Sequence, residues 1–240
     1  MRIILVFHSI DDSGSVLSYP AKSLDNLLAA LKRCDLPVVD LDTLLRPQTR
    51  SGVVLSFDDG IRSVFTDALP ILRRHGAPAH LFLTTDYVGM TNSWPTQPAF
   101  APQFEMLRWS EIEALHTAGM RIEGHTVSHP DLRALSDDEI RAECERADDA
   151  ITARLGRRPR YFAYPYALSN ARIRAFARSR YEGSLAGGLR ALRRNEDRAA
   201  LPRVDSYYLQ RDWVYRDLRS GRSWAYLFAR RVLRRLRNAP

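Results

Sequence analysis

With 240 residues, 45% of them hydrophobic, the chain can bury a full-sized core and falls in the range of one large α/β domain. Its net charge of +8 is concentrated: residues 216–240 hold eight arginines and one acid, so the preceding 215 residues are nearly neutral and no nucleic-acid partner is expected. Cys34 and Cys144, the only cysteines, are far apart in helix-like patterns, which excludes a disulfide framework and a Cys-x-x-Cys metal knuckle.

Short runs rich in β-branched residues alternate with amphipathic stretches, the pattern of repeated β–α units. The first strand is expected over 2–8. Its apolar part, Ile3 to Phe7, is followed at once by His8, Asp11 and Asp12, too short for the apolar segment of a secretion signal. No later run reaches membrane-spanning length, so a cytoplasmic location is expected. A helix over 21–33 precedes strands at 37–41 and 52–57. A helix over 62–75 and a strand over 79–84 follow. Residues 87–103, rich in proline and glycine, read as a long loop over one face. Helices are expected over 110–118 and 136–155, flanking a strand at 120–124. Ser110 with Glu113, and Ser136 with Glu139, fit the reciprocal capping pattern of a helix start. Strands at 160–164 and 181–186 enclose a helix over 169–179, opened by Ser169 and Asn170. Such alternation predicts a parallel barrel or an open doubly wound sheet, with chemistry at the carboxyl ends of the strands.

Asp58 and Asp59 stand at one such end, before a glycine that permits a sharp turn. An aspartate there serves either as the cap of the next helix or as a chemical group. The strand at 120–124 ends in GHTVSHP, which places His125 and His129, with three residues between them, in a loop that Pro130 keeps out of helix. Two imidazoles and a carboxylate suit zinc or a similar first-row ion with positions left open for water and substrate. Such a site is built for hydrolysis, with one aspartate on the metal and its neighbour free to take a proton.

SFDDG at 56–60, HTVSHP at 125–130 and FAYPY at 162–166 resemble the three motifs of the polysaccharide deacetylases, the NodB-homology or carbohydrate esterase four family, over residues 3 to 205. The resemblance implies a distorted (β/α) barrel with fewer than eight regular units, about seven here. It also implies hydrolysis of an N-acetyl group from a sugar, oligosaccharide or glycolipid precursor, with release of acetate. Asp58 is then the base, Asp59, His125 and His129 are the metal ligands, with zinc the expected ion, and the backbone N–H of Tyr166 is the oxyanion donor.

Two departures from the family pattern matter. Ala163 stands where many members carry the arginine that steadies the base, so Arg203 in LPRVD is the candidate replacement, and Ala167 replaces a usual glycine. No histidine follows His129, where many relatives place the general acid. The early VFHSI resembles the permuted poly-N-acetylglucosamine deacetylase-like arrangement, which makes His8 the expected acid.

Residues 1–210 are thus expected to form the catalytic domain and 211–240 a basic amphipathic tail. In that tail Trp224, Leu227, Phe228, Val232 and Leu236 make one apolar stripe, with Arg230, Arg231, Arg234, Arg235 and Arg237 mostly elsewhere. Either the stripe packs on the barrel and the basic face is solvated, or residues 222–238 lie on anionic membrane near lipid-linked glycans. Hydrolysis of a different C–N bond and non-catalytic glycan binding remain open as alternatives.

Overall fold

The computed structural model describes residues 1–237 except the side chains of Arg235 and Arg237; Asn238, the last residue of the expected membrane-contacting segment, lies outside the described residues. Seven parallel strands close into a barrel in sequence order: β1 (Arg2–Phe7), β2 (Gly52–Phe57), β3 (Ala79–Leu83), β4 (Arg121–Gly124), β5 (Tyr161–Ala163), β6 (Gly183–Gly187) and β7 (Leu201–Asp205). β1 lies beside β2 from Arg2↔Gly52 to Phe7↔Phe57 and closes on β7 through Leu5↔Val204. The closed barrel, not the open sheet, is the architecture.

Strand parity divides the apolar residues into two layers. Ile4, Val54, Phe82, Tyr161, Leu185 and Leu201 pack as one cluster that fills the barrel, while their neighbours Ile3, Leu5, Val53, Leu55, Leu81 and Leu83 face the helices. Those helices are α1 (Ala21–Arg33), α2 (Leu41–Leu44), α3 (Leu69–His75, entered through a π turn at Val64–Ala68), α4 (Trp109–Thr117), α5 (Asp137–Leu155), α6 (Ala171–Arg180), α7 (Asp212–Tyr215) and α8 (Gly221–Arg237). Ser136 accepts from the Glu139 N–H and the Glu139 carboxylate accepts from the Ser136 N–H, the expected start of α5. Asn170 opens α6 by accepting from the Ile173 N–H.

Four expectations are corrected. Residues 37–41 make one bridge, Val38↔Val53, and then leave the sheet, because Asp40 accepts from the Thr43 N–H and starts α2. The seventh strand is instead Leu201–Asp205, which Pro202 and Arg203 disguise as a loop. Ser110 does not cap α4: the cap lies two residues earlier, at Arg108, where the Glu111 carboxylate accepts from the Arg108 N–H at 2.9 Å. In α8 only part of the expected stripe packs. Leu227 is buried in the core beside Val214 and Leu218, and Trp224 is half-buried, whereas Phe228, Val232 and Leu236 face solvent. Among the described residues no helix is long and apolar enough to cross a membrane.

Candidate active site

Strand parity sets the site. The inward positions continue past the apolar filling as Ile4, Val6 and His8 on β1, Val54, Ser56 and Asp58 on β2, and Leu201 and Arg203 on β7. Arg203 lies level with Ile4, so its long side chain rises along the axis to reach Ser56 Oγ at 3.4 Å and Asp58 Oδ1 at 2.7 Å. Both members of this ion pair are buried. Burial alone would raise the Asp58 carboxyl; the Arg203 guanidinium outweighs it and holds Asp58 below the usual carboxylate range. The guanidinium therefore comes from β7, with Ala163 in place of the family's arginine on β5.

The chain turns immediately beyond Asp58. Asp59 has φ 73° and Gly60 φ 99°, and a Cβ on Gly60 would lie 2.6 Å from Leu83 Cδ1, so only glycine fits. Neither aspartate caps the following helical segment, whose entry at Ser63 has no side-chain cap.

The second motif is held from outside. His125 continues β4, donating its N–H to the Leu83 carbonyl, and its Nδ1 lies 2.7 Å from the Ala163 carbonyl oxygen. The carbonyl accepts from Nδ1–H, which turns Nε2 toward Asp59. Thr126 and His129 take left-handed φ of 69° and 57°. The loop keeps this shape because the Glu143 carboxylate on α5 accepts from the N–H groups of Val127 (3.0 Å) and Ser128 (2.9 Å) and from Ser128 Oγ (2.8 Å).

The result is a compact buried group. Asp59 Oδ1 lies 3.3 Å from His125 Nε2 and 3.5 Å from His129 Nε2, and the three donor atoms fall within 4.8 Å of one another. Asp59 Oδ1 receives no hydrogen bond although it is buried. Burial lowers the His129 imidazole to about 3, so it is neutral, the ligating form. Burial also disfavours charge on His125, yet the Asp59 and Asp58 carboxylates prevail and raise it. Asp59 itself is pushed up by burial and pulled further down by the two imidazoles, well below its ordinary range. Two carboxylates against one guanidinium leave a local demand for positive charge. An orphaned carboxylate oxygen and two imidazoles within one coordination sphere fit a divalent ion of the zinc class.

All seven residues singled out in the sequence line one cavity of about 290 Å³ at the barrel mouth: His8, Asp58, Asp59, His125, His129, Tyr166 and Arg203. Tyr166 and Ala167 adopt left-handed φ of 56° and 58°, which explains why glycine is usual at the second position; the alanine there costs ~1 kcal/mol. Trp94, from the 87–103 loop, escaped the sequence reading. Its ring lies 4.3 Å from that of His129, and its Nε1 donates to the Tyr166 hydroxyl at 3.0 Å. Glu143 escaped as well. Trp94 sits in an aperiodic loop, and Glu143 is one of many acids on α5, so neither carried a local signal.

A family model described as polysaccharide deacetylase matches residues 46–180. The putative polysaccharide deacetylase YxkH of Bacillus subtilis is 24% identical over 212 residues, covering 84% of this chain and 70% of that protein. The poly-β-1,6-N-acetyl-D-glucosamine N-deacetylase of Staphylococcus epidermidis is 23% identical over 181 residues, which is 70% of this chain and 56% of that protein, so the chain spans little more than half its length. The solved structure of IcaB from Ammonifex degensii superposes with a TM-score of 0.71 at 23% identity over 95% of both chains, a likeness of fold. The matched family model takes in β2 to β5, with the aspartate pair and both histidines, and more than half of the residues: the chain belongs to the polysaccharide deacetylase family.

Proposed function

We propose that the protein is a metal-dependent N-deacetylase that hydrolyses the N-acetyl group of a sugar, oligosaccharide or glycolipid precursor to acetate and a free amine. Residues 1–210 supply the catalytic domain and 211–240 an appendage to it. One observation carries the reading: Asp58, paired with a buried arginine, stands beside a carboxylate and two imidazoles that share one coordination sphere. The name of the staphylococcal relative supports an N-acetylated glycan as substrate.

Asp59, His125 and His129 would hold the ion, with zinc the best match to two imidazoles and a carboxylate. When bound, such an ion polarises a carbonyl oxygen and lowers the pKa of a water toward about 7. Asp58, kept ionised by Arg203, accepts the proton of the attacking water. The backbone N–H of Tyr166 donates to the amide oxygen as negative charge develops there. His8, at the end of β1 and in the same cavity, gives its proton to the departing sugar nitrogen as the C–N bond breaks.

The test is acetate release from N-acetylated chitooligosaccharides and from poly-β-1,6-linked N-acetylglucosamine. Asp58→Asn should lower kcat by about 10²–10⁴-fold with the melting temperature little changed. Unaltered turnover in that variant would overturn the assignment of the base.

A further inference from the structure

Helix α8 is turned inside out. Ala225, Phe228, Ala229, Val232, Leu233 and Leu236, spaced by three and four, share one face. An ordinary surface helix buries such a face. Here all six point to solvent, with Phe228 at 63%, Leu233 at 51% and Leu236 at 69% exposure. The opposite face meets the protein: Ser223 Oγ donates to the Val214 carbonyl, Leu227 is fully buried, and the Arg230 guanidinium lies 5.4 Å above the Tyr208 ring. Arg231 and Arg234 are half-buried on that side, and Arg234 lines the catalytic cavity.

The exposed apolar surface is also localised. Of the eight large hydrophobic residues that are exposed among those described, Phe228, Val232, Leu233 and Leu236 lie on α8, while Val16 and Phe100 line the cavity that Arg234 reaches. Through Arg234 on its inner side, the helix that carries the oily surface also borders the catalytic mouth. Contiguous exposed apolar surface of this kind marks an interaction site.

Charge selects the occupant. The segment 216–240 carries eight arginines against one acid, so a second copy of the chain would bring like charge against like. A surface of anionic headgroups offers both an apolar layer for the outward face and countercharge for the exposed Arg219 and Arg222 at the start of the helix. We propose that α8 docks on anionic bilayer, with the catalytic mouth beside it, so that the enzyme works on glycan held at a membrane surface. This rests on the deacetylase reading for its substrate, though the docking itself does not.

The test uses the full chain and vesicles of phosphatidylglycerol and phosphatidylcholine, against phosphatidylcholine alone. Co-sedimentation should occur with the anionic vesicles, fall at high salt, and weaken at least about tenfold in Phe228→Asp/Leu233→Asp. That variant should keep its melting temperature and its rate on a soluble N-acetylated oligosaccharide, yet lose any rate advantage on an N-acetylglucosaminyl lipid embedded in the vesicles. Equal sedimentation of parent and variant, or none by the parent, overturns the docking. So does a concentration-dependent dimer that the same double substitution abolishes, which would give the face to a second copy. If vesicles bind but acetate is never released, docking stands and the deacetylase reading falls.

Discussion

At the scale of single residues, the chemistry depends on how one carboxylate is kept charged inside a protein. A buried carboxyl alone would drift toward its neutral form, useless as a base. Arg203, 2.7 Å away and equally buried, reverses that. Arg203→Met should therefore raise the Asp58 pKa, because burial is left with less to oppose it. A general base works only above its pKa, so the acid limb of the kcat/KM profile should move to higher pH, with activity partly recovered on the alkaline side. A pH profile with an unmoved acid limb would mean that Arg203 only fills space. The histidines and aspartates were legible in the sequence because their spacing is local. Arg203 could be singled out only as a candidate, since 145 residues separate it from its partner. Trp94 and Glu143 act through contacts that no local pattern encodes.

At the scale of elements, the elements read best are those whose signal is complete within them. Helix α1 has the expected bounds because its apolar face, from Leu24 through Leu27 and Leu28 to Leu31, repeats at helical spacing. Strand β7 was missed because Pro202 and Arg203 break the apolar run, yet its inward parity is what delivers the arginine. The segment 37–41 looked like a strand until Asp40 found a helix N–H to accept from. The two proposed caps offer a direct comparison. Ser136→Ala should cost about 1 kcal/mol, because its side chain accepts from the first turn of α5. Thermal unfolding should register this as a fall of about 2–4 °C. Ser110→Ala, exposed and inside α4, should be neutral or slightly stabilising, since alanine is the better helix former. Equal losses at both sites would show that the α4 boundary is misplaced.

At the scale of the whole molecule, a closed parallel barrel gathers the ends of its seven strands into one mouth, and the sequence supplies groups from β1, β2, β4, β5 and β7 to it. Non-glycine residues with positive φ cluster there: Asp59, Thr126, His129, Tyr166 and Ala167, against Asp35 and Leu189 elsewhere among the described residues. Strain of that kind persists where surrounding structure holds it, as Glu143 and Gly60 do. The basic helix adds a second use of the same rim. Parallel strands and the aspartate–histidine motifs made the barrel and its centre readable from sequence. The outward turn of α8 was not readable, because an apolar stripe gives its own position on a helix but not which side meets the protein.

The measurement that bears most directly on the central claim is metal content joined to acetate release, on the parent protein and on His125→Ala. The parent should hold about one divalent ion per chain, lose activity to a chelator and regain it with zinc. The His125→Ala variant should bind the ion at least about 10-fold more weakly and release acetate correspondingly slowly. Acetate release at the same rate from both proteins, or from the parent stripped of metal, would contradict the account.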